Sequence, residues 1–206
     1  MSHQHGPVPF PACGGWPSTS APDPVTGLVG FPEFANCLPP FLTDQARLDQ
    51  PVGIAIGDVD HLKSYVEDTN STHPASFGHL AGNAYMAALG RICSSWFHAS
   101  RFPAGCVSTF GGDEVIITAA VAGCREFAAA VSSLRDHCRQ QLPRPVSFAT
   151  TVITPHPDQN WIDAEGVLSA VDAALFCRKA ARTGADDVGF AVDTTEVVVA
   201  DVGSAA

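Results

Sequence analysis

The segment Val52-Gly53-Ile54-Ala55-Ile56-Gly57-Asp58-Val59 constrains the fold of this chain more than any other: it is apolar almost throughout and carries a carboxylate near its end. A short apolar run of this kind reads as a strand buried on both faces. A second signal lies downstream, where Val107 to Phe110 and Val115 to Ala120 are β-rich runs separated by Gly111-Gly112. They read as a hairpin whose turn carries Asp113 and Glu114. Carboxylates are rarely placed at the ends of core strands without a partner, because burying an unpaired charge is costly.

Two readings of these acids stand side by side. In the first, Asp58 caps the following helix and Asp113-Glu114 is a polar hairpin tip. In the second, two acidic turns leave adjacent core strands and together offer oxygen ligands to Mg²⁺. Such a pair suits phosphoryl transfer, in which one ion activates a hydroxyl and another steadies a triphosphate. The two glycines allow positive φ in the turn and close approach of a phosphate or base to the backbone.

The rest of the chain alternates helical and strand patterns without a composition break, which argues for a single α/β or α+β domain. Pro32 to Asp44 suggests a helix broken near Pro39-Pro40. Gly78 to His98 places Leu89, Ile92, Cys93 and Trp96 at i, i+3, i+4 and i+7, the stripe of a long amphipathic helix. Arg125 to Gln140 and Ile162 to Arg182 read as helices, Val146 to Ile153 and Val188 to Val192 as strands. Val197-Val198-Val199 suggests an extra edge strand. Residues 1–22, rich in Pro, Gly, Ser and His, read as a flexible leader in which Phe10 and Trp16 are candidates to dock on the domain. The domain is expected over residues 23–193, with a tail over 194–206.

Composition narrows the function. The 206 residues are 46% hydrophobic and 16% charged, an ordinary globular balance. No apolar run is long enough to span a bilayer, and the start lacks the pattern of a secretory signal. A cytoplasmic protein without a membrane role is therefore expected. Seven cysteines without a C-x-x-C pair argue against a disulfide framework or zinc site and for reduced, buried thiols. A formal charge of −10 disfavours binding of long nucleic acid. It leaves mononucleotides open, since a divalent cation bridges carboxylates to phosphates.

Several motifs then align in order. Asp23-Pro24-Val25-Thr26-Gly27-Leu28 resembles the D-P-L-T-G-L opening of GGDEF (diguanylate cyclase-like) domains, and Gly57 to Lys63 resembles their D-x-D-x-F-K element. Phe77-Gly78-His79-Leu80-Ala81-Gly82-Asn83 is similar to F-G-H-x-x-G-D. Gly111 to Val115 matches the signature turn with Val for Phe, and Val171 to Lys179 resembles A-D-x-A-L-Y-x-A-K. The resemblance implies a palm like that of adenylyl cyclases and polymerases, with a central, mainly antiparallel sheet flanked by helices. It implies Mg²⁺ or Mn²⁺, as two ions, on Asp58, the Val59 carbonyl and Asp113. It assigns Glu114 to activation of a 3′-hydroxyl and puts Lys63 and Lys179 near a triphosphate. It also implies homodimerisation, two nucleoside triphosphates facing each other to form a cyclic dinucleotide.

The chain departs from that pattern at the base pocket. Val66 stands in the register of the guanine-reading Asn, with Glu67 one residue on, and Asn83 replaces an Asp. A carboxylate accepts from both N–H groups of guanine's Watson–Crick edge, whereas an amide offers one acceptor and one donor group, which suits adenine or, less completely, guanine. Relaxed or switched base choice follows, with guanine still the family's base. Asn70 to Ser76 is expected as a loop beside the pocket, its His73 solvated; His79 is expected to order its turn. Arg101-Phe102-Pro103-Ala104 lacks the Asp of an R-x-x-D inhibition site. Thr183 replaces a phosphate-binding Arg, with Arg182 beside it as a substitute, and Gly30-Phe31 stands where Asn-Arg is usual. No sensory module is expected within the short leader. Three readings stay open: a cyclic-dinucleotide synthase; a single-nucleotide enzyme on the same palm (mononucleotide cyclase, ring-opening GTP hydrolase or oligonucleotide synthase); and a non-catalytic nucleotide-binding regulator.

Overall fold

A computed structural model of the chain describes residues 16, 22–72, 79–154, 163–182 and 194–195. The elements in chain order are β1 (Val29–Gly30), α1 (Phe31–Arg47), β2 (Val52–Val59), α2 (Leu62–Thr72), α3 (Leu80–Ser100), β3 (Gly105–Phe110), β4 (Glu114–Ala120), α4 (Cys124–Gln141), β5 (Val146–Ile153), α5 (Ala164–Arg182) and β6 (Thr194–Thr195). The strands form one sheet in the order β1-β3-β4-β2-β5-β6. Its inner pairs are antiparallel, and the short outer pairs, β1 with β3 and β5 with β6, are parallel. This is the helix-flanked, mainly antiparallel α/β sheet expected from the sequence.

The apolar run of β2 is buried along nearly its whole length because each face meets a layer of helices. On one face Ala55 and Val59 join Val115, Ile117, Leu89, Phe127 and Leu134 under α3 and α4. On the other, Ile54, Ile56 and Ile116 pack against Phe34, Leu38, Val171 and Leu175 of α1 and α5. The two glycines inside β2 have a steric reason. A Cβ on Gly53 would lie 2.5 Å from the Phe127 ring, and one on Gly57 would lie 2.3 Å from the Phe148 ring.

Helix α1 corrects one expectation, since it runs unbroken through Pro39 and Pro40. Each interior proline removes a backbone bond and costs about 3 kcal/mol. Burial of Phe34, Leu38, Phe41 and Leu42, at about 1.5–3 kcal/mol each, outweighs that cost. Trp16 also reaches this helix, buried to 4% exposure and stacked on Phe34 at 5.4 Å. Helix α2 holds another correction: it extends through Thr72, so the expected loop from Asn70 begins as helix. In this last stretch the hydroxyls of Thr69 and Thr72 donate to the carbonyls of Tyr65 and Asp68, a turn back along the helix.

The Asp23-to-Leu28 motif is a hydrogen-bonded connector. Asp23 Oδ1 accepts from the Val25 and Thr26 amides at 3.1 and 2.7 Å and from the Thr26 hydroxyl at 2.8 Å. Gly27 takes a positive φ of 71°, and the turn presses on α3 so closely that a Cβ on Gly90 would lie 2.1 Å from the Thr26 carbonyl oxygen. Among the described cysteines, Cys93, Cys106 and Cys138 are buried thiols, whereas Cys37 and Cys124 are half-buried and Cys177 is exposed. The last thus departs from the expected burial. Residues 188–192 and 197–199, read as strands, lie outside the described residues, as does His73. Strand β6 falls within the stretch read as a tail. Among the described residues, no helix is long and apolar enough to cross a membrane.

Candidate active site, an acidic cluster where two core strands end

Strand pairing sets the geometry of the site. In the antiparallel register of β2 and β4, Ile56 faces Ile116 and, two steps on, Asp58 faces Glu114. Alternation along the strands then puts both carboxylates on the α1/α5 face, in line with Ile54, Ile56 and Ile116. The hairpin turn between β3 and β4 is closed over the end of β2 by the Val59 amide, which donates to the Asp113 carbonyl at 3.2 Å. Gly111 supplies the positive φ expected in that turn, at 64°, whereas Gly112 does not take one.

Helix α5 crosses this end of the sheet and delivers Lys179. Its ammonium bonds the Asp58 carboxylate and lies 3.5 Å from Asp60 Oδ1. Asp60 in turn accepts from the Ser147 hydroxyl of β5 at 2.9 and 2.7 Å. Despite the lysine, the Asp58 carboxyl is raised above the ordinary value, first by burial, with Asp113 and Asp60 adding repulsion. Glu114 is pushed up to about 7, again first by burial and then by the charges of Asp58, Asp113 and Asp172. Glu114 is therefore poised to exchange a proton near neutrality, as a general base must be.

Of the residues singled out in the sequence, Asp58, Val59, Asp113, Glu114, Gly111, Gly112 and Lys179 converge on this one end of the sheet. Asp60, Ser147 and Asp172 belong to the same cluster, and sequence reasoning gave them no place among the site residues. Asp60 had a signal, its position two after Asp58; Ser147 had none, since it meets Asp60 across 87 positions of sequence. The expected base-reading residues, and Lys63, expected near the triphosphate, lie on α2 and α3. Lys63 is exposed and pairs at 4.0 Å with Glu67, so it is turned to solvent. Val66 is half-buried against Gly82, where an added Cβ would lie 3.4 Å from its methyl group. Asn83 is exposed in the first turn of α3. Arg182 ends α5, and Thr183 lies outside the described residues.

The donor set fits an oxygen-seeking divalent cation. Among the described residues, no group of three or more His, Cys, Asp or Glu side chains is arranged to hold a metal ion by itself. Mg²⁺ does not require one, since it is commonly held by one or two carboxylates plus substrate phosphates and water. Burial raises Asp58 and Glu114 first, and neighbouring carboxylates add to it; a bound cation relieves that repulsive part.

No family profile matches the chain, and comparison with curated proteins finds no match either. Solved structures do resemble it. A microbial GGDEF domain described with bis-(3′,5′)-cyclic di-GMP superposes with a TM-score of 0.62 at 21% identity, over 85% of this chain and 96% of that one. The GGDEF domain of DgcB from Caulobacter crescentus, in complex with c-di-GMP, gives 0.62 at 17% identity, over 85% and 95%. The active GGEEF domain of a diguanylate cyclase from Vibrio cholerae gives 0.54 at 20% identity, over 76% and 92%. Matched along most of their own length and at low identity, these domains show that the chain has a divergent GGDEF-like fold.

Proposed function

We propose that the protein is a nucleotidyltransferase that condenses two nucleoside triphosphates into a cyclic dinucleotide, with release of two pyrophosphates. The observation that carries this reading is the Asp58–Glu114 pairing across β2 and β4, with Glu114 raised to about 7. In each of two steps the 3′-hydroxyl of one nucleotide attacks the α-phosphorus of the other. Glu114 accepts the hydroxyl proton, a role its position and proton affinity suit. Asp58, Asp113 and the Val59 carbonyl would hold Mg²⁺ or Mn²⁺, which when bound supplies charge neutralisation of the phosphates and polarises the hydroxyl. Lys179 stands within reach of the same phosphates, and Asp60, held by Ser147, keeps the lysine at the cluster. Cyclisation requires two nucleotides face to face, so the active species is a homodimer in which each protomer presents one.

The base pocket supports altered base choice. Val66 brings an apolar surface where a hydrogen-bonding side chain is usual in GGDEF domains, and Asn83 brings an amide in place of a carboxylate. The same observation supports a second reading, a single-nucleotide enzyme or nucleotide-binding regulator on the same palm. One experiment separates them. The purified protein is incubated with each nucleoside triphosphate and Mg²⁺ or Mn²⁺, and the products are resolved by mass. A cyclic dinucleotide is expected. A cyclic mononucleotide, a ring-opened base or an open oligonucleotide would favour the second enzymatic reading, and nucleotide binding without product would favour the regulator.

A further inference from the structure

The cation bound at the acidic cluster belongs to the protein itself. Lys179 reaches from α5 to the Asp58 carboxylate, 121 positions away in sequence, and sits 3.5 Å from Asp60 Oδ1. The three side chains are largely shielded, at 28% exposure for Lys179, 21% for Asp58 and 13% for Asp60. Ser147 holds both oxygens of Asp60, which keeps the second carboxylate facing the ammonium. A divalent cation binds carboxylate oxygen at about 2.0–2.1 Å for Mg²⁺. Placed on the Asp58 oxygen that the ammonium already occupies, it would meet a like charge in a poorly solvated site. Metal and lysine therefore compete for Asp58.

A lysine suits such an exchange, because it is a compact charge on a flexible four-carbon stem that can swing without moving its helix. A triphosphate arriving beside the cluster offers it other anionic acceptors. We propose that Lys179 is a built-in counter-ion that blocks Asp58 until a triphosphate draws it away, so that metal and nucleotide enter the site cooperatively. This rests on the reading of Asp58 and Asp113 as metal ligands. By linkage, each ligand raises the affinity for the other by the same factor, and couplings of this kind are typically about 5- to 150-fold. The device favours assembly of the full metal–nucleotide site over capture of metal alone.

The test is Mn²⁺ binding to the full chain without nucleotide, read from the loss of the free Mn²⁺ paramagnetic resonance signal. Lys179→Met and Lys179→Gln should each bind Mn²⁺ about tenfold more tightly than the unaltered protein. Lys179→Arg, which keeps the charge, should stay near the unaltered value. Asp113→Ala added to Lys179→Met should remove the gain. Circular dichroism on every variant confirms folding, and the two neutral replacements guard against a defect particular to one of them. If the unaltered protein binds Mn²⁺ in an Asp113-dependent way and both neutral variants bind it no more tightly, the counter-ion proposal fails while the metal site stands. If no variant binds Mn²⁺, with or without Asp113, the metal-site reading fails and the proposal falls with it.

Discussion

Replacing Glu114 by Gln should stabilise the protein in mildly alkaline buffer and leave it unchanged in mild acid. Burial and the charges of Asp58, Asp113 and Asp172 raise the Glu114 carboxyl from 4.5 to about 7 in the folded protein. The folded state then holds a proton that the unfolded chain has already released. Stability contributed by this group is fully present below the unfolded value and is lost as pH rises through the folded one. At about 1.36 kcal/mol per pH unit, the penalty of ionising Glu114 is capped near about 3.4 kcal/mol. Glu114 is only partly buried, and solvent screening brings the expected effect to roughly 1.5–2 kcal/mol. Glutamine has similar shape and no charge, so Glu114→Gln escapes that penalty. Thermal unfolding in EDTA-treated buffers should show a gain of about 3–8 °C for the variant near pH 8, shrinking to nothing near pH 4.5. Mg²⁺ should narrow the gap by neutralising the unaltered cluster. Melting curves that differ by the same amount at every pH would refute the reasoning, because a packing change carries no such pH dependence.

Further outcomes follow from the same geometry. Asp113→Ala should abolish turnover while costing little stability, measured by product formation beside thermal unfolding; retained turnover would remove the proposed metal site. The rate should fall with pH as Glu114 takes up its proton, at a pH below its metal-free value of about 7 because the bound cation favours the carboxylate, and a rate profile flat from about pH 4.5 to 8.5 would remove Glu114 from the role of base. Gly90→Ala should destabilise by about 1–3 kcal/mol or more, because its Cβ would strike the rigid backbone at Thr26; denaturant unfolding measures this. Trp16→Ala should cost about 3–5 kcal/mol, since the ring is buried against Phe34 and Phe41, and an unchanged midpoint would show that the contact is not held in solution.

Much of the fold was legible because the signals for it are local. The bounds of β2 and β5 coincide with the apolar runs Val52–Val59 and Val146–Ile153, and the Gly111-Gly112 turn falls between two β-rich runs that pair antiparallel. The long helices were found from periodicity, within a few residues at their ends. The break expected at Pro39-Pro40 was absent because backbone propensity is a local quantity, whereas the burial of Phe34, Leu38, Phe41 and Leu42 that overrides it is supplied by the sheet and α5.

The candidate site divides in the same way. Asp58, Asp113 and Glu114 could be singled out from the sequence, since each lies at the end of an apolar run where a charge is costly. Which face of the sheet they share, and that Asp58 stands opposite Glu114, depends on strand register, which the tertiary structure sets. That Lys179 lies on Asp58, with Asp60 fastened by Ser147, depends on how α5 docks across β2 and β5. The sequence by itself therefore determined the acids and the strands that carry them. Only the tertiary structure decided which charge neutralises them, because electrostatic partnership follows distance in space and the partners are far apart along the chain.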